Sequence, residues 1–440
     1  MLQASHVGGA EHDSKCFSTT GDEPALGSIE TMELIHQRCA GLDVHKKNVV
    51  VCVRIASEQG VVLQVETFAT DTRDLLRLGE WLFEHQIEHA VMESTGVYWK
   101  PVWHVLQSFV ELTLANAQEV KNLPGRKSDV KDAQWLAELL AHGLLRRSFV
   151  PERAIERVRD LTRTRKQMVG EVTRHAQRID KQLQGCNIKL KSVLSKTLSK
   201  SGRAMLRAMI SGEADPKVLA DLAMGTARKK RAELERALDG FVDDHHRFLL
   251  EQHLDTVEHL EKVIKSIEAK IAEALGPFAD EATRLETMPG ISKTAASIII
   301  GEIGTDMSRF PTAAQLVSWA GLCPRLDSSA GKSRSTRIRR GNRFLKTAMV
   351  QAAWSAIRAG GYLRARFHRI CRRAGRNKAL VAVARTMLVA VFHMLERGED
   401  YRDLGETHLQ KRDRERSIRS LTRRLEQFGM VVELRPLEAG

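Results

Sequence analysis

The sequence predicts an α/β domain followed by a longer all-α remainder. Two observations carry that prediction. Between residues 35 and 150, short Val- and Ile-rich runs alternate with stretches of helical periodicity, as in a mixed sheet covered by helices. Residues 152–275 hold a single proline, Pro216, among long stretches of Leu, Arg, Lys, Glu and Ala, which favour helix. At 440 residues the chain exceeds one ordinary core, so about two to four units are expected.

Residues 1–34 are rich in Gly, Ser, Thr and acids without periodicity and read as a disordered tail. Residues 35–150 form the α/β domain. Its first strand is Cys39-Ala-Gly-Leu-Asp-Val. Runs at 48–55 and 61–68 read as neighbouring strands about the turn Ser57-Glu-Gln-Gly60. A helix over 71–86, a strand near 87–93, a helix near 98–109, a strand near 111–116 and a helix from about 128 to 143 follow. Residues 151–280 form a helical, coiled-coil linker or dimerisation region. There Val257, Leu260, Ile264, Ile267 and Ile271 step by three and four, a seam that packs either within one chain or between two.

Residues 281–400 form a basic, mainly helical domain. Met288-Pro-Gly leads into an apolar helix ending at Gly304. This is either half of a helix-hairpin-helix, whose turn amides hold a DNA phosphate, or a glycine turn between packed helices. A helix near 312–320, a basic loop over 326–342 and helices near 342–358 and 376–396 complete the domain. Residues 401–440 read as a charged peripheral helix or tail.

Composition narrows the function classes. With 42% hydrophobic and 28% charged residues the chain suits a globular protein, and 5% aromatics argue against large sandwich or barrel cores. No apolar run reaches bilayer-spanning length and no secretory leader is evident, so no membrane partner is expected and the cytoplasm, beside the bacterial nucleoid, is the expected location. The cysteines at 16, 39, 52, 186, 323 and 371 include no C-x-x-C pair, which argues against zinc and against a disulfide framework. Net charge is +14, and its placement is uneven. From Arg325 to Lys378 sixteen Lys or Arg face one acid, Asp327. A merely solvated surface intersperses both signs, so this concentration reads as a face that binds nucleic acid.

Four carboxylates carry the candidate chemistry. Asp43 ends the first strand, and Glu93 ends His89-Ala-Val-Met-Glu. Asp129 and Asp132 lie three apart where a helix begins, on one face of it. Taken singly, each has an ordinary explanation: a turn residue, a helix cap, or favourable charge at a helix N-terminus. Together, an acid on the first strand, one on a later strand and a pair on a late helix match the ribonuclease H-like layout. Four converging carboxylates make a hard-oxygen site for Mg²⁺ or Mn²⁺, suited to phosphodiester chemistry.

Six motifs in order extend this reading: Gly41-Leu-Asp-Val-His-Lys, Glu93-Ser-Thr-Gly-Val-Tyr, Lys127-Ser-Asp-Val-Lys-Asp-Ala, Met288-Pro-Gly-Ile, Ala320-Gly-Leu-Cys-Pro-Arg and Arg340-Gly-Asn-Arg-Phe-Leu-Lys. Over about 38–395 the chain resembles the IS110-family transposases. The resemblance implies an N-terminal RuvC-like domain of the DEDD type, with Asp43, Glu93, Asp129 and Asp132 as metal ligands. It also implies a C-terminal transposase domain with a serine nucleophile, which falls on Ser329. Ser328 is an immediate rival, and Ser333 and Ser335 are weaker candidates. Arg325, Lys332, Arg334, Arg337, Arg339, Arg340, Arg343 and Lys346 are the candidate nucleic-acid contacts. The expected partners are donor and target DNA, a structured non-coding guide RNA and further copies of the chain, as a dimer or tetramer. The guide RNA rests on the resemblance alone. Two departures stand out: about 35 residues precede the family's usual start, and extra sequence lies near 185–245.

The expected function is therefore a DNA transposase that cuts and rejoins strands through a serine. A RuvC-like, structure-selective nuclease that uses the carboxylates alone is the first alternative. A non-catalytic nucleic-acid-binding scaffold is the second.

Overall fold

The computed structural model describes residues 33–94, 96–116, 129–324, 327–329, 332–335, 337–338 and 340–433. For 129–131, 327–329, 332–335, 409–413 and 415–417 it describes the backbone only. The tail expected over 1–34 thus lies almost wholly outside the described residues, as do Arg325, Arg339 and residues 434–440. Between Val150 and Pro151 the chain divides into two compact units.

The first unit is a five-stranded mixed sheet in the order β3-β2-β1-β4-β5. The strands are β1 (Arg38–Val44), β2 (Asn48–Ser57), β3 (Gly60–Ala69), β4 (His89–Glu93) and β5 (Glu111–Ala115). β1 pairs antiparallel with β2 and β2 with β3, whereas β1–β4 and β4–β5 are parallel. Parallel pairs need crossovers, and the helices α1 (Thr72–Glu84) and α2 (Trp99–Leu106) supply them. Alternation sorts the side chains onto two faces. Ala40, Leu42, Val51, Ala90, Met92 and Leu114 pack with Leu75, Leu78 and Leu82 of α1 and with Val102 and Leu106 of α2. The opposite face, with Cys39, Cys52, Val91 and Ala115, is covered by α3 (Asp129–Ala141). Antiparallel first strands, parallel later strands and a final helix across the sheet constitute a ribonuclease H-like fold.

The second unit is helical. Its spine is α4 (Arg153–Gly185), followed by four short helices, α5 (Leu190–Val193), α6 (Lys200–Ile210), α7 (Pro216–Asp221) and α8 (Arg231–Leu238). The extra sequence near 185–245 builds a core here, in which Ile188, Leu206, Met209, Leu219 and Leu234 pack with Ile179 and Leu183 of α4 and with Leu250 and Leu254. Next, α9 (Asp244–Ala274) packs along α4, and its seam residues Val257 and Ile271 are buried in the single chain. The remaining helices are α10 (Ala279–Glu286), α11 (Lys293–Ile303), α12 (Ala313–Trp319), α13 (Arg343–Ala359), α14 (Gly361–Ala374), α15 (Arg376–Arg397) and α16 (His408–Glu426). A two-stranded hairpin, β6 (Asp327–Ser329) and β7 (Lys332–Ser335), lies between α12 and α13.

Three sequence expectations change. The Met288-Pro-Gly turn packs against α13: a Cβ on Gly290 would lie 2.2 Å from the carbonyl oxygen of Ala352. Of the two readings of that turn, this contact supports the glycine turn between packed helices. Secondly, α14 stands where no helix was expected. Thirdly, α15 is long and apolar enough by composition to cross a membrane, contrary to the expectation that no such run exists. It is instead a core helix here, with Leu380, Val383, Met387, Leu388, Val391 and Phe392 buried. A helix surrounded by other helices is apolar on most of its circumference.

Candidate active site and nucleic-acid interface

Strand register brings Asp43 and Glu93 to one edge. The last registered pair of the parallel β1–β4 ladder is Leu42↔Met92, so Asp43 and Glu93 are the next residues along neighbouring strands. Asp43 shares a face with Cys39 and Gly41, and that face looks at α3. The Cys39 thiol donates to the Ala137 carbonyl at 3.4 Å. A Cβ on Gly41 would lie 2.1 Å from the Ala133 carbonyl oxygen, so only glycine permits this approach. Two residues forward on β1 thus correspond to about one turn back along α3. The next step, to Asp43, leads to the first turn of α3, which carries Asp129 and Asp132.

α3 is held in this register by an ion pair. Arg54 on β2, almost wholly buried, donates to Glu138 at 2.7 Å, and Glu138 also meets His142 at 3.1 Å. At the sheet edge, His45 Nε2 lies 3.0 Å from Asp43 Oδ2. His45 stands in the first motif, two residues after Asp43, but its contact with the carboxylate was not foreseen from the sequence.

Carboxylate oxygens are the chemistry a hard divalent cation takes, and Asp43 and Glu93 supply two of them at one sheet edge. Among the described residues, however, no group of three or more His, Cys, Asp or Glu is drawn together closely enough to hold a metal ion. The Asp129 side chain lies outside that description.

In the second unit the candidate serines lie on the hairpin. Ser329 ends β6 and pairs with Lys332, Ser328 pairs with Ser333, and Ser335 pairs with Asp327. The two ends of this loop pinch together. Gly341, at φ +136°, leaves no room for a Cβ, which would lie 2.6 Å from the Gly321 nitrogen. Pro324 and Ile338 form an antiparallel bridge just beyond. Asn342 then caps α13, its Oδ1 accepting from the amides of Phe344 and Leu345 at 3.0 Å each.

Of the basic candidates, Arg337, Arg340 and Arg343 are exposed and Lys346 is half-buried. Lys332 and Arg334 lie on β7, and Arg325 and Arg339 lie outside the described residues. Around Phe344 gather Arg163 at 4.5 Å, Arg343 at 5.0 Å and Lys166 at 5.2 Å from the ring centre. Burial, reinforced by the nearby Arg343 charge, lowers the Lys166 pKa. The same basic segment exposes further arginines beyond the eight named contacts. Arg364, Arg369, Arg372 and Arg373 of α14 and Arg376 of α15 are exposed, and Arg376 lies over Trp354 at 4.4 Å. Leu363 and Phe367, four apart, are the buried side of α14.

A family model described as a transposase, of the DEDD type of IS110, matches residues 40–188. A second, described as a transposase of the IS116/IS110/IS902 family, matches 282–369. An uncharacterised protein of insertion element IS110 from Streptomyces coelicolor is 35% identical over 119 residues, 27% of this chain and 29% of that protein. The transposase for insertion sequence element IS1111A of Coxiella burnetii is 28% identical over 139 residues, 30% of this chain and 37% of that one. The matched stretches thus span about a third of those relatives' lengths. Among solved structures, Thermus thermophilus RuvC overlaps 25% of this chain and 99% of its own, at 15% identity and a TM-score of 0.20. The same protein in complex with a Holliday junction substrate overlaps 26% and 100%, at 14% identity and a TM-score of 0.20.

Proposed function

The chain belongs to the IS110 family of transposases, and from that premise we propose that it cuts and rejoins DNA to move an insertion sequence, using a serine nucleophile. What supports the proposal is the β1–β4 register, which makes Asp43 and Glu93 neighbours at one sheet edge, and the close approach of α3 to that face at Gly41, in a chain that also presents a cinched Ser/Arg hairpin.

In this reading Asp43, Glu93, Asp129 and Asp132 would hold Mg²⁺ or Mn²⁺. When bound, such an ion supplies Lewis-acid neutralisation of charge on phosphate oxygens. The residues of the chain do the rest. The Ser329 oxygen attacks a backbone phosphorus and its proton passes to a carboxylate. A phosphoserine ester forms as the bond to the deoxyribose oxygen breaks, and that oxygen takes up a proton from solvent to become a free hydroxyl. Attack by another deoxyribose hydroxyl reverses the step and rejoins the strand, so the bond energy is conserved. Arg337, Arg340 and Arg343, with Arg325, Lys332, Arg334, Arg339 and Lys346, grip the backbone and balance the negative charge of the transition state. Donor and target DNA are the proposed substrates, with a structured non-coding RNA as guide. A homo-oligomer lets carboxylates and serine from different copies meet.

The test is trapping of the covalent link. On a plasmid carrying this reading frame with its native flanking DNA, Ser329→Ala is expected to abolish the protein–DNA adduct and to slow cleavage by about a thousandfold or more. Asp43→Asn and Glu93→Gln are expected to do the same, and chelation is expected to stop cleavage until Mg²⁺ or Mn²⁺ is restored. Full cleavage by Ser329→Ala, with no adduct in the wild type, would point to the carboxylate-only nuclease. Unchanged transposition in the carboxylate variants would leave a scaffold.

A further inference from the structure

Glu302 is the most enclosed acid among the described residues, with no exposed surface, yet the chemistry above does not use it. It sits near the end of α11, in the otherwise apolar run Ile298-Ile-Ile-Gly-Glu-Ile303. A buried carboxylate needs its full complement of donors. Arg163 of α4 supplies two, Nε to Oε1 and an Nη to Oε2, each at 2.8 Å. Asn342 Nδ2 supplies a third, to Oε2 at 2.6 Å. Arg159, whose pKa is lowered by burial against the pull of Glu302, donates to the Gly301 and Glu302 carbonyls at 2.8 Å each.

The carboxylate therefore ties together three elements: α4, α11 and the cap of α13. A well-packed apolar side chain would serve stability as well or better. What the charged cluster adds is a single geometry for Asn342. That residue is also the hinge side of the hairpin. Its Oδ1 caps α13, its amide donates to the Trp319 carbonyl at 3.3 Å, and the neighbouring Gly341 presses on Gly321. Four residues before it, Ile338 bridges Pro324. Asn342 thus anchors the base of the loop, where Gly341 meets Gly321 and Ile338 meets Pro324 on the two sides of the hairpin.

We infer that Glu302 and Asn342 form a latch that positions the Ser329 hairpin for in-line attack. They are positioning residues, with Arg163 and Arg159 holding the latch from α4. This inference rests on the assignment of the nucleophile to the hairpin. A shift of about 1 Å in an attacking group is enough to cost about a hundredfold in rate.

The test exchanges the two partners. Asn342→Asp keeps an N-cap acceptor but faces one carboxylate with another. Glu302→Gln combined with Asn342→Asp restores an amide-to-carboxylate hydrogen bond in reversed polarity. Asn342→Asp is expected to slow strand cleavage on the flanked plasmid about a hundredfold. DNA affinity should stay unchanged, while hydrogen exchange of the 327–335 amides accelerates. The double variant is expected to recover the rate to within about tenfold and to restore slow exchange. Should Asn342→Asp not fold, Asn342→Ser keeps a capping oxygen, lacks the donor and should show the same two losses. The latch is overturned if a folded single variant cleaves and exchanges like wild type. It is equally overturned if the double variant melts like wild type but recovers neither readout. Exchange does not depend on which residue attacks DNA, so an active Ser329→Ala would sink the nucleophile assignment without altering the exchange result.

Discussion

Arg54 and Glu138 share an ion pair but not its burial, and their substitutions should differ accordingly. Arg54 is 5% exposed and Glu138 30%. Glu138→Ala leaves a guanidinium inside the sheet face without its acid, and is expected to cost about 3–5 kcal/mol. Arg54→Met leaves an acid that still reaches solvent and His142, so urea unfolding should show a smaller loss. The thiols on the same face titrate late. Burial pushes Cys39 up to about 12 and Cys52 up to about 11, from an ordinary 9.0. Above pH 9 the unfolded chain releases protons that the folded chain retains, so stability falls as pH rises toward 11. Mass spectrometry after alkylation at pH 8 should find Cys39 and Cys52 unmodified until the protein is unfolded.

At the scale of elements, close approach sets the site. α3 lies on β1 at Gly41 with no space for a methyl group. Gly41→Ala is expected to lower stability by about 1–3 kcal/mol, read by denaturant unfolding, and to lift the helix start that carries Asp129 and Asp132. Cleavage should fall further than the stability loss explains. Strand and helix order over 35–150 was legible because period-two and period-3.6 patterns are local. α14 was not, because its buried stripe is only Leu363 and Phe367, too few positions to establish a helical period. The Met288-Pro-Gly turn carried two meanings in sequence. The contact of Gly290 with Ala352, 62 positions away in the chain, favours packing over phosphate binding.

For the whole molecule, the division after Val150 leaves the ribonuclease H-like unit compact, with a core of its own. A fragment of residues 33–150 should unfold cooperatively by circular dichroism, since its sheet is covered by its own helices on both faces. The basic face belongs to the other unit. Replacing Arg337, Arg340 and Arg343 by Gln should weaken binding across DNA sequences and reduce the salt slope by about one for each residue that touches a phosphate. Family, fold class, the strand-end positions of Asp43 and Glu93 and the basic segment were all readable in the linear chain, because each depends on neighbours in sequence. Glu302 was not readable: inside an Ile-rich helix an isolated acid looks like a solvent-facing residue. Its partners Arg163 and Asn342 stand 139 and 40 residues away. Only the packing of α4, α11 and α13 brings those donors to one carboxylate, since long-range hydrogen bonds follow from three-dimensional proximity and leave no periodic trace in the chain.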